Sequence, residues 1–312
     1  MAEKIIIDTD PGQDDALAIL LALASPELEI LGLTTVAGNV PLALTTANAG
    51  RILELAGRGD IPLHAGCDRP MRLALRTAEH VHGASGLDGH DLPAPAVGPR
   101  PGHAVDFLID TLRREPAGSV TLCPLGPLTN LGTALERAPD IAPRIRRIVM
   151  MGGGFFEGGN ITPAAEFNIF VDPHAAASVL GAGVPVTVLP LDVTHKVLTS
   201  AARIAAIRAL GTPVAAAAAG WLEFFERFDE AKYGTDGGPL HDPNVIAWLL
   251  QPDLYAGRDC NVEVETESEL TRGMTVVDWW GVTARPRNVT WIRDVDAEGV
   301  FALLTERLAR LG

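Results

Sequence analysis

Cationic side chains are scarce in this chain. Lys and Arg number 25 against 39 Asp and Glu, giving a formal net charge of -14 over 312 residues. Without a basic patch there is nothing to neutralise a row of phosphates, which excludes a nucleic-acid polymer as partner but not a small nucleoside. Cysteine is scarce as well. Cys67, Cys123 and Cys260 are odd in number, widely spaced and fit no zinc pattern, so reduced, buried thiols in a cytoplasmic protein are expected. Long apolar runs are missing: none approaches the ~20 residues that span a bilayer. The chain opens directly on a strand, so no basic-then-apolar leader is expected. What remains is 47% hydrophobic, with Gly and Pro frequent but not periodic. That composition belongs to a globular protein with a sizeable core.

Strand-like and helix-like segments alternate along most of the sequence. Residues 4–8, 28–36, 119–124, 145–150 and 184–189 read as strands. Residues 14–24, 42–56, 104–114, 129–138 and 173–181 read as helices. The alternation predicts βαβ units: an α/β fold with a mostly parallel, Rossmann-like open sheet flanked by helices. The Gly-, Pro- and His-rich stretch 66–101 reads as a long functional loop. Residues 201–250 look mainly helical and suggest a cap over the active site, 262–265, 274–278 and 288–292 read as late strands, and 295–311 as a terminal helix. No linker or repeat divides the chain, so residues 1–312 are expected to form one domain.

Ile5-Ile6-Ile7 is a β-branched run followed at once by Asp8-Thr9-Asp10-Pro11-Gly12-Gln13-Asp14-Asp15. Pro11-Gly12 ends the strand, and Asp14-Asp15-Ala16-Leu17 begins a helix. Carboxylates capping a helix N-terminus suit its dipole, and one or two would need no further account. Four within eight residues repel one another. A hard cation with oxygen ligands, calcium or magnesium, relieves the repulsion. In open α/β sheets ligands bind outside the carboxyl ends of the strands. Thr34–Asn39, Pro124–Asn130 and Met151–Gly154 follow other strands on that same edge, so the topology predicts that they converge with the acidic turn.

The acidic turn resembles the N-terminal signature of the inosine–uridine-type nucleoside hydrolases. Ala37-Gly38-Asn39, His82-Gly83, Gly126-Pro127-Leu128-Thr129-Asn130, Gly159-Asn160, Glu166-Phe167-Asn168 and His241-Asp242-Pro243 stand in that family's order. The resemblance implies a calcium-dependent N-ribohydrolase that frees a nucleobase from ribose with water. It implies that Asp10, Asp15, Asp242 and the Leu125 carbonyl hold Ca2+. Leu125 stands where Thr is common, a change to which a main-chain ligand is insensitive. It implies that Asp14, Asn39, Asn160, Glu166 and Asn168 hold the ribose hydroxyls and that His82 and His241 face the base. Asp10 is the candidate base for the attacking water. His241 is the candidate acid for the leaving base, since imidazole titrates near neutrality. Tyr233 resembles a tyrosine of pyrimidine-preferring members, which leans the expectation towards uridine and cytidine, with inosine possible. A homodimer or homotetramer is expected by the same resemblance.

Other features read as structural. Asp8 suits hydrogen bonding behind the metal ligands rather than ligation. His64, His80, His90 and His103 are expected to be polar loop or surface residues. His174 is expected in the first turn of a helix after Asp172-Pro173. His195 is expected at a polar strand end behind the site. Gly152-Gly153-Gly154 lacks the Lys-Ser/Thr of a phosphate loop and reads as close backbone approach. Trp221, Phe224, Phe225 and Phe228 have helical spacing and are expected in the core, one ring closing over the base. Two rival functions stand against the hydrolase: a haloacid-dehalogenase-like phosphohydrolase, which shares Asp-x-Asp after a strand, and a catalytically silent nucleoside- or calcium-binding protein.

Overall fold

The computed structural model describes residues 2–96, 98–233 and 237–312, the side chains of 226–233 apart. Its strands are β1 (Glu3–Thr9), β2 (Leu28–Thr35), β3 (Leu63–Ala65), β4 (Val120–Pro124), β5 (Ile145–Met151), β6 (Val186–Leu189), β7 (Tyr255–Val264), β8 (Thr275–Asp278) and β9 (Val289–Val295). Its helices are α1 (Gln13–Leu23), α2 (Leu42–Leu55), α3 (Glu79–His82), α4 (Ala104–Arg114), α5 (Thr129–Arg137), α6 (Phe167–Val171), α7 (Pro173–Leu180), α8 (Leu191–Thr194), α9 (Ala201–Arg208), α10 (Pro213–Tyr233), α11 (Pro243–Leu250) and α12 (Ala297–Leu308).

Among the described residues one sheet holds nine strands in the order β3-β2-β1-β4-β5-β6-β9-β7-β8. From β3 to β9 the pairing is parallel; β7 joins β9 and β8 in antiparallel fashion. The expected open, mostly parallel α/β sheet in a single domain is the observed fold. Successive strand residues point to opposite faces. Ile5 and Ile7 accordingly pack into a core built with α1, α2 and α10 to α12, while Ile6 enters the opposite core with α4, α5 and α7. Burial on both faces is why β1 is apolar throughout rather than alternating.

The order of strands positions the site. From β1 the chain winds outward through β2 and β3, then returns to lay β4 on the other side of β1 and winds away through β5 and β6. The direction reverses between β1 and β4, and the crevice beyond the carboxyl ends of such a pair is where open α/β sheets bind ligands. The register places Asp8 opposite both Thr34 of β2 and Pro124 of β4. The acidic turn therefore begins at that crevice.

Several local expectations need correction. His64 is not a loop or surface residue: it is buried on β3 and stacks on Phe107 with ring centroids 4.3 Å apart. The stretch 66–101 is not wholly loop, because α3 lies within it and carries His82. His103 is an exposed loop residue as expected, and it also caps α4, its Nδ1 accepting the Val105 N–H. His195 follows a short helix rather than a strand end, since β6 stops at Leu189 and α8 intervenes. His174 does lie in the first turn of α7, which Asp172 caps.

Candidate active site

Pro11-Gly12 turn the chain sharply from β1 into α1, so Asp14 and Asp15 occupy its first turn. Asp15 reaches back to the Gly12 N–H at 3.0 Å, accepts the Thr9 hydroxyl on its other oxygen, and receives the Asn39 side-chain amide at 3.3 Å. Part of the helix-capping reading thus holds for Asp15. Asp242 heads α11 at the N-cap position yet makes no side-chain cap bond. Its carboxyl instead meets that of Asp15. Asn244 fixes that turn: its amide donates to the carbonyls of Leu240 (2.6 Å) and His241 (2.9 Å), and the Tyr255 hydroxyl donates to its oxygen at 2.9 Å.

Asp10 is held differently. The Asn39 backbone N–H donates to its Oδ2 at 2.7 Å. Gly38 and Gly126 wall its carboxylate: a Cβ at Gly38 would stand 2.9 Å from Asp10 Cγ, and one at Gly126 2.7 Å, closer than real Cβ atoms come. The glycines of two separate motifs are therefore required by one carboxylate, not by a left-handed backbone. Asp8 lies behind, its Oδ1 taking the Thr34 hydroxyl (2.6 Å) and the Asn130 amide (2.7 Å), while its Oδ2 is buried without a partner. Burial raises its pKa to about 6.

Asp10, Asp14, Asp15, Asn39, His82, Leu125, Asn160, Glu166, Asn168, His241 and Asp242 all line one pocket, whose non-atom space is about 670 Å³, counting the part open to solvent. The side chain of Tyr233, expected at the base, lies outside the described residues. Trp221 is buried in the core, Phe225 lines the pocket 5.6 Å from the His82 ring and 6.2 Å from that of His241, and Phe228 lies outside the described side chains.

The carboxylates are electrostatically strained. Burial first, then repulsion by Asp15, raises the pKa of Asp10 well above the usual range. Burial, then Asp14, Asp15 and Asp10, does the same to Asp242. Burial also raises Asp15, against the hydrogen bonds that hold its charged form. Two carboxyls that meet, as Asp15 and Asp242 do, need a proton or a cation between them. Oxygens of Asp14, Asp15 and Asp242 all lie within 4.8 Å of one another, a spacing that can hold a metal ion. This all-oxygen donor set fits a hard divalent cation. Among the described residues the close cluster gathers Asp14, expected on the sugar, with Asp15 and Asp242, while Asp10, held by the Asn39 N–H, is not part of it. The Leu125 carbonyl accepts the Asn168 amide at 2.6 Å, which leaves its second lone pair for another partner.

Several of the expected sugar contacts also bond within the protein. Glu166 accepts the backbone N–H groups of Gly153 (2.9 Å), Asn168 (2.9 Å) and Ile169 (3.2 Å). Asn160 accepts the Phe167 N–H at 2.9 Å. The bond from Gly153 accounts for the close backbone approach expected of that glycine run. His241 shares a hydrogen bond of 2.8 Å between its Nδ1 and the Thr194 hydroxyl. Asp192, buried beneath the loop after β5, accepts the N–H groups of Phe155, Phe156 and Glu157 at 2.8–3.1 Å and the Trp291 indole at 2.8 Å. Gln13, Thr194, Asp192 and Asn244 received no role of their own from the sequence, because uncharged side chains and an isolated Asp at a distance carry no pattern of their own.

The sequence model described as Inosine-uridine preferring nucleoside hydrolase matches residues 5–302. The chain is 48% identical over 310 residues to the Pyrimidine-specific ribonucleoside hydrolase RihA of Photobacterium profundum, covering 99% of each. It is 58% identical over 308 residues to an uncharacterized protein of Schizosaccharomyces pombe, again covering 99% of each. Among solved structures, the Purine-Preferring Ribonucleoside Hydrolase from Gardnerella vaginalis superposes with a TM-score of 0.93 at 31% identity over 99% of both chains. A plant nucleoside hydrolase, PpNRh1, superposes with a TM-score of 0.92 at 35% identity, also over 99% of both. The fold is that of a nucleoside hydrolase. The chain belongs to the inosine-uridine preferring nucleoside hydrolase family and is an enzyme that hydrolyses ribonucleosides. The phosphohydrolase alternative falls with that membership. Among the described residues no helix is long and apolar enough to cross a membrane.

Proposed function

We propose that this enzyme cleaves the N-glycosidic bond of pyrimidine ribonucleosides, uridine and cytidine, to free base and ribose, with inosine a poorer substrate and calcium as its metal. The observation that carries the reading is the gathering of eleven residues from distant motifs around one crevice at the β1–β4 reversal. Relatives 48% identical are named pyrimidine-specific, against a purine-preferring neighbour at 31%, and this supports the choice of base.

Asp10, Asp15, Asp242 and the Leu125 carbonyl would hold the ion. Their number and all-oxygen chemistry suit the larger, more flexible shell of calcium over that of magnesium. When bound, the ion supplies a Lewis acid that lowers the pKa of water and a template for the sugar diol. Asp10 takes the proton from the attacking water. Asp14 lies close enough to Asp15 and Asp242 to grip a hydroxyl beside the ion. Asn39, Asn160, Glu166 and Asn168 grip the sugar hydroxyls, so that binding energy at the ribose holds the anomeric carbon for attack. The surrounding carboxylates favour the positive charge of the oxocarbenium-like transition state. His82 and Tyr233 meet the base, and His241 delivers a proton to it as it leaves. The reading carries with it a cytoplasmic enzyme that works as a homodimer or homotetramer.

The test is a panel of uridine, cytidine, inosine and adenosine assayed for free base, with the matching nucleotides assayed for phosphate. Base release fastest from uridine or cytidine, without phosphate release, is the expected result. Faster release from inosine or adenosine would overturn the pyrimidine assignment. Nucleoside binding without base release would make the chain a silent member of its family.

A further inference from the structure

His82 is the one imidazole in the pocket whose proton can be placed from its surroundings. The amide nitrogen of Gln13 lies 3.0 Å from the His82 carbonyl and 2.9 Å from the Asp88 carbonyl. Both partners only accept, so this end of the amide is the NH₂ group and its orientation is settled. The other end, Oε1, lies 2.7 Å from His82 Nδ1. An amide oxygen only accepts, so Nδ1 must carry the hydrogen. Gly12, the neighbour of Gln13, makes room for the ring: a Cβ there would stand 2.5 Å from Nδ1 and 2.8 Å from Cε1. Burial lowers the pKa of His82 to about 3, so the ring is neutral and Nε2 holds a bare lone pair. His82 lines the pocket, and its Nε2 has no hydrogen-bond partner among the described residues.

We infer that Gln13 is a positioning residue that locks His82 in its Nδ1–H tautomer, so that the pocket receives its nucleoside at His82 with a hydrogen-bond acceptor. The inference rests on the proposed nucleoside-hydrolase reading and adds a polarity to it. The substrate group meeting His82 is a donor, either the imide N–H of the base or the 5′-hydroxyl of the sugar. Four consecutive residues of the acidic turn then do two jobs. Asp14 and Asp15 face the sugar end, while Gly12 and Gln13 seat and polarise the histidine. A Gln is required because its amide can donate to two carbonyls and accept from one ring at the same time. Met has the same length and can do neither.

The experiment compares the wild-type chain, Gln13→Met, His82→Ala and the double variant on uridine, 3-methyluridine and 5′-deoxyuridine. Histidine ring ¹⁵N spectra of the same proteins are recorded, the His82 signals being those lost in His82→Ala. Wild type should show a protonated Nδ1 and an unprotonated Nε2 at His82. It should prefer uridine to one of the two analogues by about tenfold or more, the scale of one satisfied hydrogen bond. The analogue that suffers identifies the donor as base N–H or 5′-hydroxyl. In Gln13→Met the ring should drift to the Nε2–H form, since a buried Nδ1–H would lack an acceptor. The preference should then fall to the level of His82→Ala and fall no further in the double variant. An Nε2–H tautomer in the wild type would overturn the inference. So would a Gln13→Met protein that loses rate equally on all three substrates, which is what a merely structural role produces. A wild-type chain that releases base from no nucleoside would overturn the functional reading and the donor assignment with it. The tautomer would still be read from the spectrum, which needs no substrate.

Discussion

Gly38→Ala probes the geometry around Asp10 with a single methyl group. Gly38 is not among the glycines with positive φ, so its backbone accepts alanine without strain. The added carbon would stand 2.9 Å from Asp10 Cγ, nearer still to Oδ2, and 2.9 Å from Pro127 Cδ, where 3.4–4 Å is ordinary contact. Retreat is restricted on the far side, where the Gly126 backbone packs closely enough that a Cβ there would stand 2.7 Å from the same Cγ. The carboxylate must therefore swing, breaking its 2.7 Å bond from the Asn39 N–H and moving its oxygens by on the order of 1 Å. A misplacement of that size at a reacting centre costs roughly 100-fold. kcat/KM on uridine should fall by about that factor, mostly in kcat, while the thermal midpoint moves little. Gly98→Ala, which meets nothing within 4 Å, is the control and should match wild type. A Gly38→Ala enzyme within threefold of wild type would refute the placement of Asp10 at the reacting centre.

Other outcomes follow from the same geometry. Removing the ribose 2′-hydroxyl leaves Asp14 or Asn39 without its partner, so 2′-deoxyuridine should be poorer than uridine by about 10⁴-fold; comparable efficiencies would contradict the sugar assignments. His241→Ala should slow inosine by about 10²-fold or more and barely affect a nitrophenyl riboside, whose leaving group needs no proton. Equal losses on both would reduce His241 to shaping the pocket or supporting Asp242. Asp192→Ala strands three backbone N–H groups and the Trp291 indole. It should cost on the order of 3 kcal/mol in chemical denaturation, since each buried unpaired donor is worth about 1–3 kcal/mol before water partly compensates; a variant as stable as wild type would show that the loop is held by something else.

Much of this arrangement is legible in the sequence because it rests on short-range rules. An apolar β-branched run can only be a strand buried on both faces. Pro-Gly must end it, and a parallel sheet must present its turns on one edge. Those rules bring Asp8–Asp15, Asn39 and Leu125 into one crevice without any side chain having been seen, whereas only the family resemblance places Glu166 there. They fail where the signal is short or distributed. β3 is three residues long and follows a proline, and β7 extends back to Tyr255 through an exposed polar run that no alternation marks. His64 offered no pattern to show that Phe107, distant in sequence, would cover it. The division of labour among the carboxylates was hidden for a similar reason. Asp14, and not Asp10, stands within the tight triad, and the Asn39 N–H holds Asp10, an arrangement that spacing along the chain does not reveal. Gln13 was hidden in plain view: between a glycine and two aspartates its amide looks like a spacer until the His82 ring is placed beside it.

Crowded carboxylates at the β1–β4 reversal point to a cation-dependent ribohydrolase. Uridine hydrolysis before chelation, after exhaustive chelation, and after return of calcium or magnesium tests it most directly. Chelation should abolish base release while the fold persists, and calcium should restore it more fully than magnesium. Undiminished release of uracil by the metal-free protein would contradict it.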